Sequence, residues 1–180
     1  MIILKELNLK FENSNIKQRF ELIQQYFSNK TILITTSGGR NSGVILDLVK
    51  KNFELSNVKI VFIDTGYYSS STYRTIQYYK DIGFPIEIYS SNITPAFFES
   101  LYGKPLDLEG DKFEKFQEIM KHEPLNKAIK EIQPDVWING AKRVDTKKRE
   151  KMNFIEEDDT LYQIHPILDW TENMVNDYIS

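Results

Sequence analysis

The stretch TILITTSGGRNSG, residues 31–43, decides how this 180-residue chain folds. Its first half, Thr31–Thr35, is a short β-branched and aliphatic run, the composition of a buried strand. Its second half, Ser37-Gly38-Gly39-Arg40-Asn41-Ser42-Gly43, is a turn. Beyond it, Val44, Ile45, Leu46, Leu48 and Val49 predict a helix over Val44–Lys50 that starts near Ser42. Glycines between a strand and a helix let backbone N–H groups approach an anion, and the helix adds the positive end of its dipole. The hydroxyls of Ser37 and Ser42 and the charge of Arg40 would add to such a site. The same residues also read as a plain tight turn with Ser42 as helix N-cap. The stretch does not match GxxxxGK[ST], so the Walker type of phosphate loop is not indicated.

Working outward, Ile16, Phe20, Ile23 and Phe27 fall at helical spacing and predict a helix over Asn15–Phe27, within a helical extension of about residues 1–29. Downstream, apolar runs predict strands at Val58–Ile63, Ile86–Tyr89, Val136–Asn139 and, shorter, near Tyr162–Ile164. Between them lie predicted helices at Thr72–Ile82, Phe97–Tyr102, Phe113–Met120 and Leu125–Ile132, closed by Gly83, Pro85 and Pro134. A last helix follows Asp169, with Thr171 as its N-cap. Alternating strands and helices imply one α/β domain over residues 1–180: a three-layer sandwich, its mostly parallel sheet covered by helices on both faces.

Ligands in such folds sit at the carboxyl ends of the strands. Three glycine-bearing loops fall there. Ser37–Gly43 is the first. Asp64, Thr65 and Gly66 form the second, able to hold a base or ribose through backbone groups or simply to make a capped turn. The third runs from Gly140 to Arg149 and holds five cations, Lys142, Arg143, Lys147, Lys148 and Arg149, within eight residues. Alone it reads as a solvated basic loop; beside the other two it reads as an anion clamp. Tyr67, Tyr68, Tyr73, Tyr78 and Tyr79 read as packing residues, and His122 and His165 as packing or hydrogen-bonding groups.

The formal charge of −3 gives no overall positive field to draw nucleic acid or membrane. No run of about 18 apolar residues occurs, and the N-terminus lacks a signal-peptide pattern, so a cytoplasmic protein is expected. Cysteine is absent, which excludes a thiolate nucleophile, disulfides and a cysteine-bound iron–sulfur cluster within these residues. The two histidines have no ligand-like spacing, so no transition-metal site is expected.

Six segments, in order from about Leu33 to Ile179, resemble 3′-phosphoadenylyl-sulfate (PAPS) reductase, within the adenine-nucleotide α-hydrolase-like or PP-loop group. TTSGGRNSG (35–43) resembles that group's SGGxDS loop, and VFIDTGYYSSSTYR (61–74) resembles DTGY…TYR. LYGKPLDLEG (101–110) falls at a YGK segment, and KHEPLNKAIKEI (121–132) resembles K-x-EP-x-N-x-A-x-KEL. GAKRVDTKKR (140–149) resembles GLRR-x-x-S-x-x-R, and HPILDWT (165–171) resembles P-x-x-DW.

The resemblance implies a phosphate loop lined by Ser37, Gly38, Gly39, Arg40, Asn41 and Ser42. It places Asp64, Thr65 and Gly66 beside the adenosine, and gives phosphate and sulfate to Lys142, Arg143, Thr146 and Arg149 on the arm that Gly140 opens. Asn41 stands where the PP-loop aspartate is usual, and Lys142 where an arginine is common. Members of the family continue into a tail whose cysteine attacks the sulfur of PAPS, after which thioredoxin or glutaredoxin releases sulfite; the 180 residues stop before such a tail. The expectation is a binder of PAPS, adenylyl sulfate or ATP linked to sulfate assimilation. It would lack its own catalytic cysteine, as a pseudoenzyme, a truncated form or the partner of a thiol-bearing protein, with homo-oligomers allowed. One alternative is a PP-loop ATP pyrophosphatase or adenylyltransferase, like FAD synthetase or the ATP sulfurylase small subunit, with Mg²⁺ needed only for ATP. The other is an interaction module with a vestigial pocket.

Overall fold

The computed structural model of the chain describes residues 4–180; the first three residues of the expected N-terminal extension lie outside it. Eight α-helices are described: α1 (Leu4–Glu12), α2 (Ile16–Phe27), α3 (Arg40–Asn52), α4 (Ser70–Asp81), α5 (Pro95–Tyr102), α6 (Gly110–Gln117), α7 (Glu123–Ile132) and α8 (Glu172–Ile179). Six strands form one sheet: β1 (Ile32–Thr36), β2 (Val58–Asp64), β3 (Ile86–Ser90), β4 (Val136–Ile138), β5 (Ile155–Asp158) and β6 (Leu161–Ile164). Their order is β3-β2-β1-β4-β6-β5. Every pair is parallel except β5 and β6.

Strand alternation sorts side chains to two faces. Ile32 and Ile34, Ile60 and Phe62, and Val136 and Ile138 enter the main core, with Phe20, Phe27, Val44, Leu48, Ile76 and Val175 from α2, α3, α4 and α8. Leu33, Val61, Ile63 and Trp137 face the other way, against Leu125, Ala128 and Ile129 of α7. The central strands are thus covered on both sides, which is why they read as unbroken apolar runs rather than alternating ones. A satellite cluster of Phe98, Leu108, Phe116 and Met120 packs under α5 and α6 and reaches Tyr67. No helix among the described residues is long and apolar enough to cross a membrane.

Asn15 opens α2 with a capping box: its Oδ1 accepts Gln18 N–H at 3.0 Å, and Gln18 Oε1 accepts Asn15 N–H at 2.9 Å. Asn8 of α1 lies against the edge strand β5. Its Oδ1 accepts Ile155 N–H at 2.9 Å and its Nδ2 donates to Ile155 O at 2.9 Å.

Candidate functional site

The chain builds β1, β2 and β3 in one direction across the sheet, then returns to place β4 on the other side of β1. Connections leaving β1 and β4 diverge there, which opens a crevice at their carboxyl ends. The loop after β1 enters it. Gly38 has φ +70, and a Cβ there would stand 3.0 Å from Thr72 Cγ2, so a glycine suits both the conformation and the space.

Helix α3 begins at Arg40 with Gly39 as N-cap, and no side chain caps it. Its first turn is left free to meet an anion. The expected N-cap, Ser42, lies inside the helix, because the extended backbone of Gly39 starts α3 earlier. Ser42 Oγ instead donates to Gly39 O at 2.9 Å and accepts Ser37 N–H at 3.3 Å, stitching the loop to itself.

A cleft of about 500 Å³ lies over these groups, of a size suited to a small ligand. Ser37, Asn41 and Ser42 line it from the first loop, and Gly140 and Arg149 from the third. The two loops meet backbone to backbone: a Cβ on Gly140 would stand 2.9 Å from Asn41 O. Arg149 is held by Asp145, its Nη1 donating to Oδ2 at 3.0 Å.

The other expected contacts are elsewhere. Gly38, Gly39 and Arg40 line a separate hollow between α3, α4 and α8, where Arg40 bonds Glu172 at 2.8 Å and Asn176 at 2.6 Å. Asp64, Thr65 and Gly66 do not line the cleft, although Ile63 and Tyr68 on either side of them do. Their polar groups are engaged in their own turn: Asp64 Oδ1 accepts Gly66 N–H and Tyr73 O–H, each at 2.8 Å. Burial and that Asp64 bond push the Tyr73 phenol up to about 12.

Of the arm's cations, Arg149 alone lines the cleft. Lys142 is wholly buried and donates to Glu172, with Asp145 3.6 Å away. With Arg40, it lowers the pKa of the Glu172 carboxyl. Arg143 turns toward the N-terminal extension, where it bonds Met152 O at 3.2 Å and Glu12 at 3.3 Å and lies over Phe154. Thr146 is exposed and away from the cleft. Carboxylates from α1, α8 and the arm itself supply nearer partners than the cleft for these side chains.

The cleft also has residues outside the expected site: Lys121 and His122 from the π-helical turn Glu118–His122 that joins α6 to α7, and Trp137, Asn139 and His165 from the ends of β4 and β6, the two histidines having been expected only to pack or hydrogen-bond. Trp137 Nε1 donates to Thr35 Oγ1 at 2.9 Å, fixing the indole along the cleft floor. His165 Nδ1 lies 2.9 Å from Asn139 Oδ1. Burial, with the nearby Arg149 charge, pushes the His165 ring down to about 4.

Residues 31–180 match the phosphoadenosine phosphosulfate reductase domain. The chain is 30% identical over 179 residues to the phosphoadenosine 5′-phosphosulfate reductase of Synechocystis sp., covering 98% of this chain and 71% of that one. It is likewise 30% identical to the Synechococcus sp. protein of that name, covering 98% and 76%. Among solved structures, it resembles phosphoadenylyl-sulfate reductase from Candida auris, a phosphate complex, with TM-score 0.78, 21% identity and coverage of 98% and 83%. The FMN adenylyltransferase of Candida glabrata, in complex with FMN and an ATP analogue, shares the fold more loosely, with TM-score 0.56, 15% identity and coverage of 98% and 56%. On the matched domain, the 30% relatives and the shared PP-loop fold, this chain belongs to the phosphoadenosine phosphosulfate reductase family.

Proposed function

We propose that the cleft binds an adenylyl sulfate-type nucleotide, so that the chain serves sulfate assimilation at its nucleotide-handling step. The phosphate next to the ribose would rest on Ser37 and on Asn41 and Ser42 at the free first turn of α3, with Arg149 facing a further anionic group. One observation carries this reading: Gly140 packs directly on Asn41 and so joins the two loops at one cleft, with Arg149 on its rim. With the chain at −3 overall, anion attraction has to be local, and an uncapped helix start plus one guanidinium supplies it. The relatives' names identify phosphoadenosine 5′-phosphosulfate as the nucleotide they reduce, and the family membership supports the same substrate class for this cleft.

Sulfonyl transfer to a thiol needs a thiolate, and these 180 residues hold no cysteine. In this reading the thiol comes from outside them, and the residues in hand bind and orient the nucleotide. Thermal unfolding with PAPS, adenylyl sulfate or Mg–ATP tests it. A bound nucleotide at a hundred times its Kd stabilises by about 2.7 kcal/mol, a rise in Tm of several degrees for a domain of this size. The expected order has the sulfated nucleotides above ATP. No shift with any of the three would refute the proposal, and a shift with Mg–ATP alone would move the chain to the adenylyltransferase branch.

A further inference from the structure

The cleft that gathers these anion-binding groups also has a carboxylate in its wall, Asp145. By charge alone it should repel the ligand. Its bonds give it another use. Asp145 Oδ2 accepts Arg149 Nη1–H at 3.0 Å and the Lys142 backbone N–H at 3.3 Å, and Oδ1 lies 3.6 Å from Lys142 Nζ. The carboxylate thus sits between two cations. Lys142, on one side, is wholly buried and also donates to Glu172, which in turn accepts Arg40 Nη2–H at 2.8 Å. A buried ammonium cannot leave its carboxylates without stranding a charge, so it fixes Asp145 from behind. Arg149, on the other side, is open to a ligand: its side chain is 40% exposed and lines the cleft.

The backbone brings the pair together. Asp145 ends the 3₁₀ turn Arg143–Asp145, and Arg149 ends the next one, Lys147–Arg149. Arg149 N–H closes that second turn by donating to Thr146 O at 2.9 Å. Among the described residues, Asp145 is the one hydrogen-bond partner of the Arg149 side chain, and it takes one of several N–H donors. The others remain for an anion. A partly exposed ion pair adds little to stability. What it does here is order a long side chain at the cleft before a ligand arrives, so that binding does not have to. Nor does Asp145 cancel the attraction. Arg40, Glu172, Lys142, Asp145 and Arg149 alternate in sign, and the line begins and ends on a cation.

Resting on the nucleotide reading of the cleft, we propose that Asp145 is a positioning residue: it presents Arg149 to the anionic group beyond the ribose-linked phosphate, and buried Lys142 holds Asp145 in place. Lys142, expected to meet phosphate or sulfate itself, acts through these two side chains instead.

Isothermal titration of the full chain with adenosine 5′-phosphate, adenylyl sulfate and adenosine 3′,5′-bisphosphate tests this, because the second and third add a sulfate and a 3′-phosphate to the first. The wild type should bind at least one of the fuller ligands about tenfold more tightly than adenosine 5′-phosphate, the effect of one charge-assisted hydrogen bond. The ligand that gains names the group that Arg149 meets. Each variant is read as that ratio, in which general damage to the fold cancels. Arg149→Ala should abolish the preference, and Asp145→Ala should lose most of it. Asp145→Asn, of the same shape, leaves Nη1 a neutral acceptor and should keep about threefold. The double variant should match Arg149→Ala alone, since Asp145 acts only through that guanidinium. Equal wild-type binding of the three ligands overturns the proposal, as does a preference that survives in Arg149→Ala. An Asp145→Ala ratio at or above the wild type's makes the carboxylate a bystander or a competitor for Arg149 and overturns it too. Should Asp145→Ala not fold, an Asp145→Asn ratio equal to the wild type's has the same force. A wild type that binds none of the three refutes the nucleotide reading itself, a result distinct from binding without preference.

Discussion

His165, packed among Asn139, Arg149 and Glu156, also makes the protein acid-sensitive. Its pKa falls from 6.5 in the free side chain to about 4 in the fold, so between those values the unfolded chain binds a proton that the folded one refuses. Stability is therefore full above pH 6.5 and declines as pH falls toward 4, by ~3 kcal/mol across the window. Urea midpoints measured from pH 7.5 to 4.5 should drop more steeply for the wild type than for His165→Gln; parallel profiles would refute this assignment. Two glycines make opposite predictions. Gly66→Ala adds a Cβ 2.4 Å from Pro95 Cγ at φ +74 and should lower stability by more than about 1 kcal/mol. Gly140→Ala pushes on the Asn41 carbonyl at 2.9 Å and should weaken nucleotide binding about tenfold with a smaller loss of stability. Binding titrations beside urea melts separate the two. At this scale the sequence was partly legible. Ser37, Asn41, Ser42, Gly140 and Arg149, singled out from loop chemistry after a strand, which is a local signal, line one cleft. Lys142 and Arg143 instead pair with Glu172 and Glu12, which a count of cations does not foretell, since it says nothing about which nearby carboxylate each will meet. Trp137 and Asn139 could have been found by continuing the two-residue alternation of β4 past its end, onto the face that carries Leu33 and Val61.

Among the elements, α2 is held by more than its apolar stripe. Arg19 is buried at 3% exposure, donates to Phe11 O and Pro166 O, and grips Asp169 with two bonds of 2.7 Å. Its guanidinium lies 4.2 Å from the centroid of Phe154. Arg19→Met strands the Asp169 carboxylate and two carbonyls and should cost on the order of 3 kcal/mol in chemical denaturation. Arg19→Lys should recover less than half of it, since an ammonium cannot make the forked pair; full recovery would show that charge alone matters. The strands of the central sheet and the helices after them were readable because each is a run of one period with a glycine or proline at its end. Strand β5 was not: Ile-Glu-Glu-Asp has no apolar alternation, and it forms by pairing with β6 across a turn where Asp159 takes φ 52. The separately expected helices Phe113–Met120 and Leu125–Ile132 join into one helical run, because the π-turn absorbs the register change ahead of Pro124.

For the molecule as a whole, the switch point between β1 and β4 positions the site, and it follows from strand order that no single segment contains. The alternation of strands and helices led to a parallel sheet covered on both faces, and in such sheets the carboxyl ends of the strands are the place to look. What alternation could not supply was the far edge. There α1 does a strand's work with a helix. The carboxamide of Asn8 offers Ile155 a carbonyl and an N–H, the same pair that another β-chain would present. Asn8→Leu should leave that backbone pair open, and light scattering should then rise with protein concentration in the variant faster than in the wild type. If scattering is unchanged, the acidic side chains of β5 suffice to repel a newcomer. If it rises, a single amide on a neighbouring helix is what keeps the sheet from growing by recruitment.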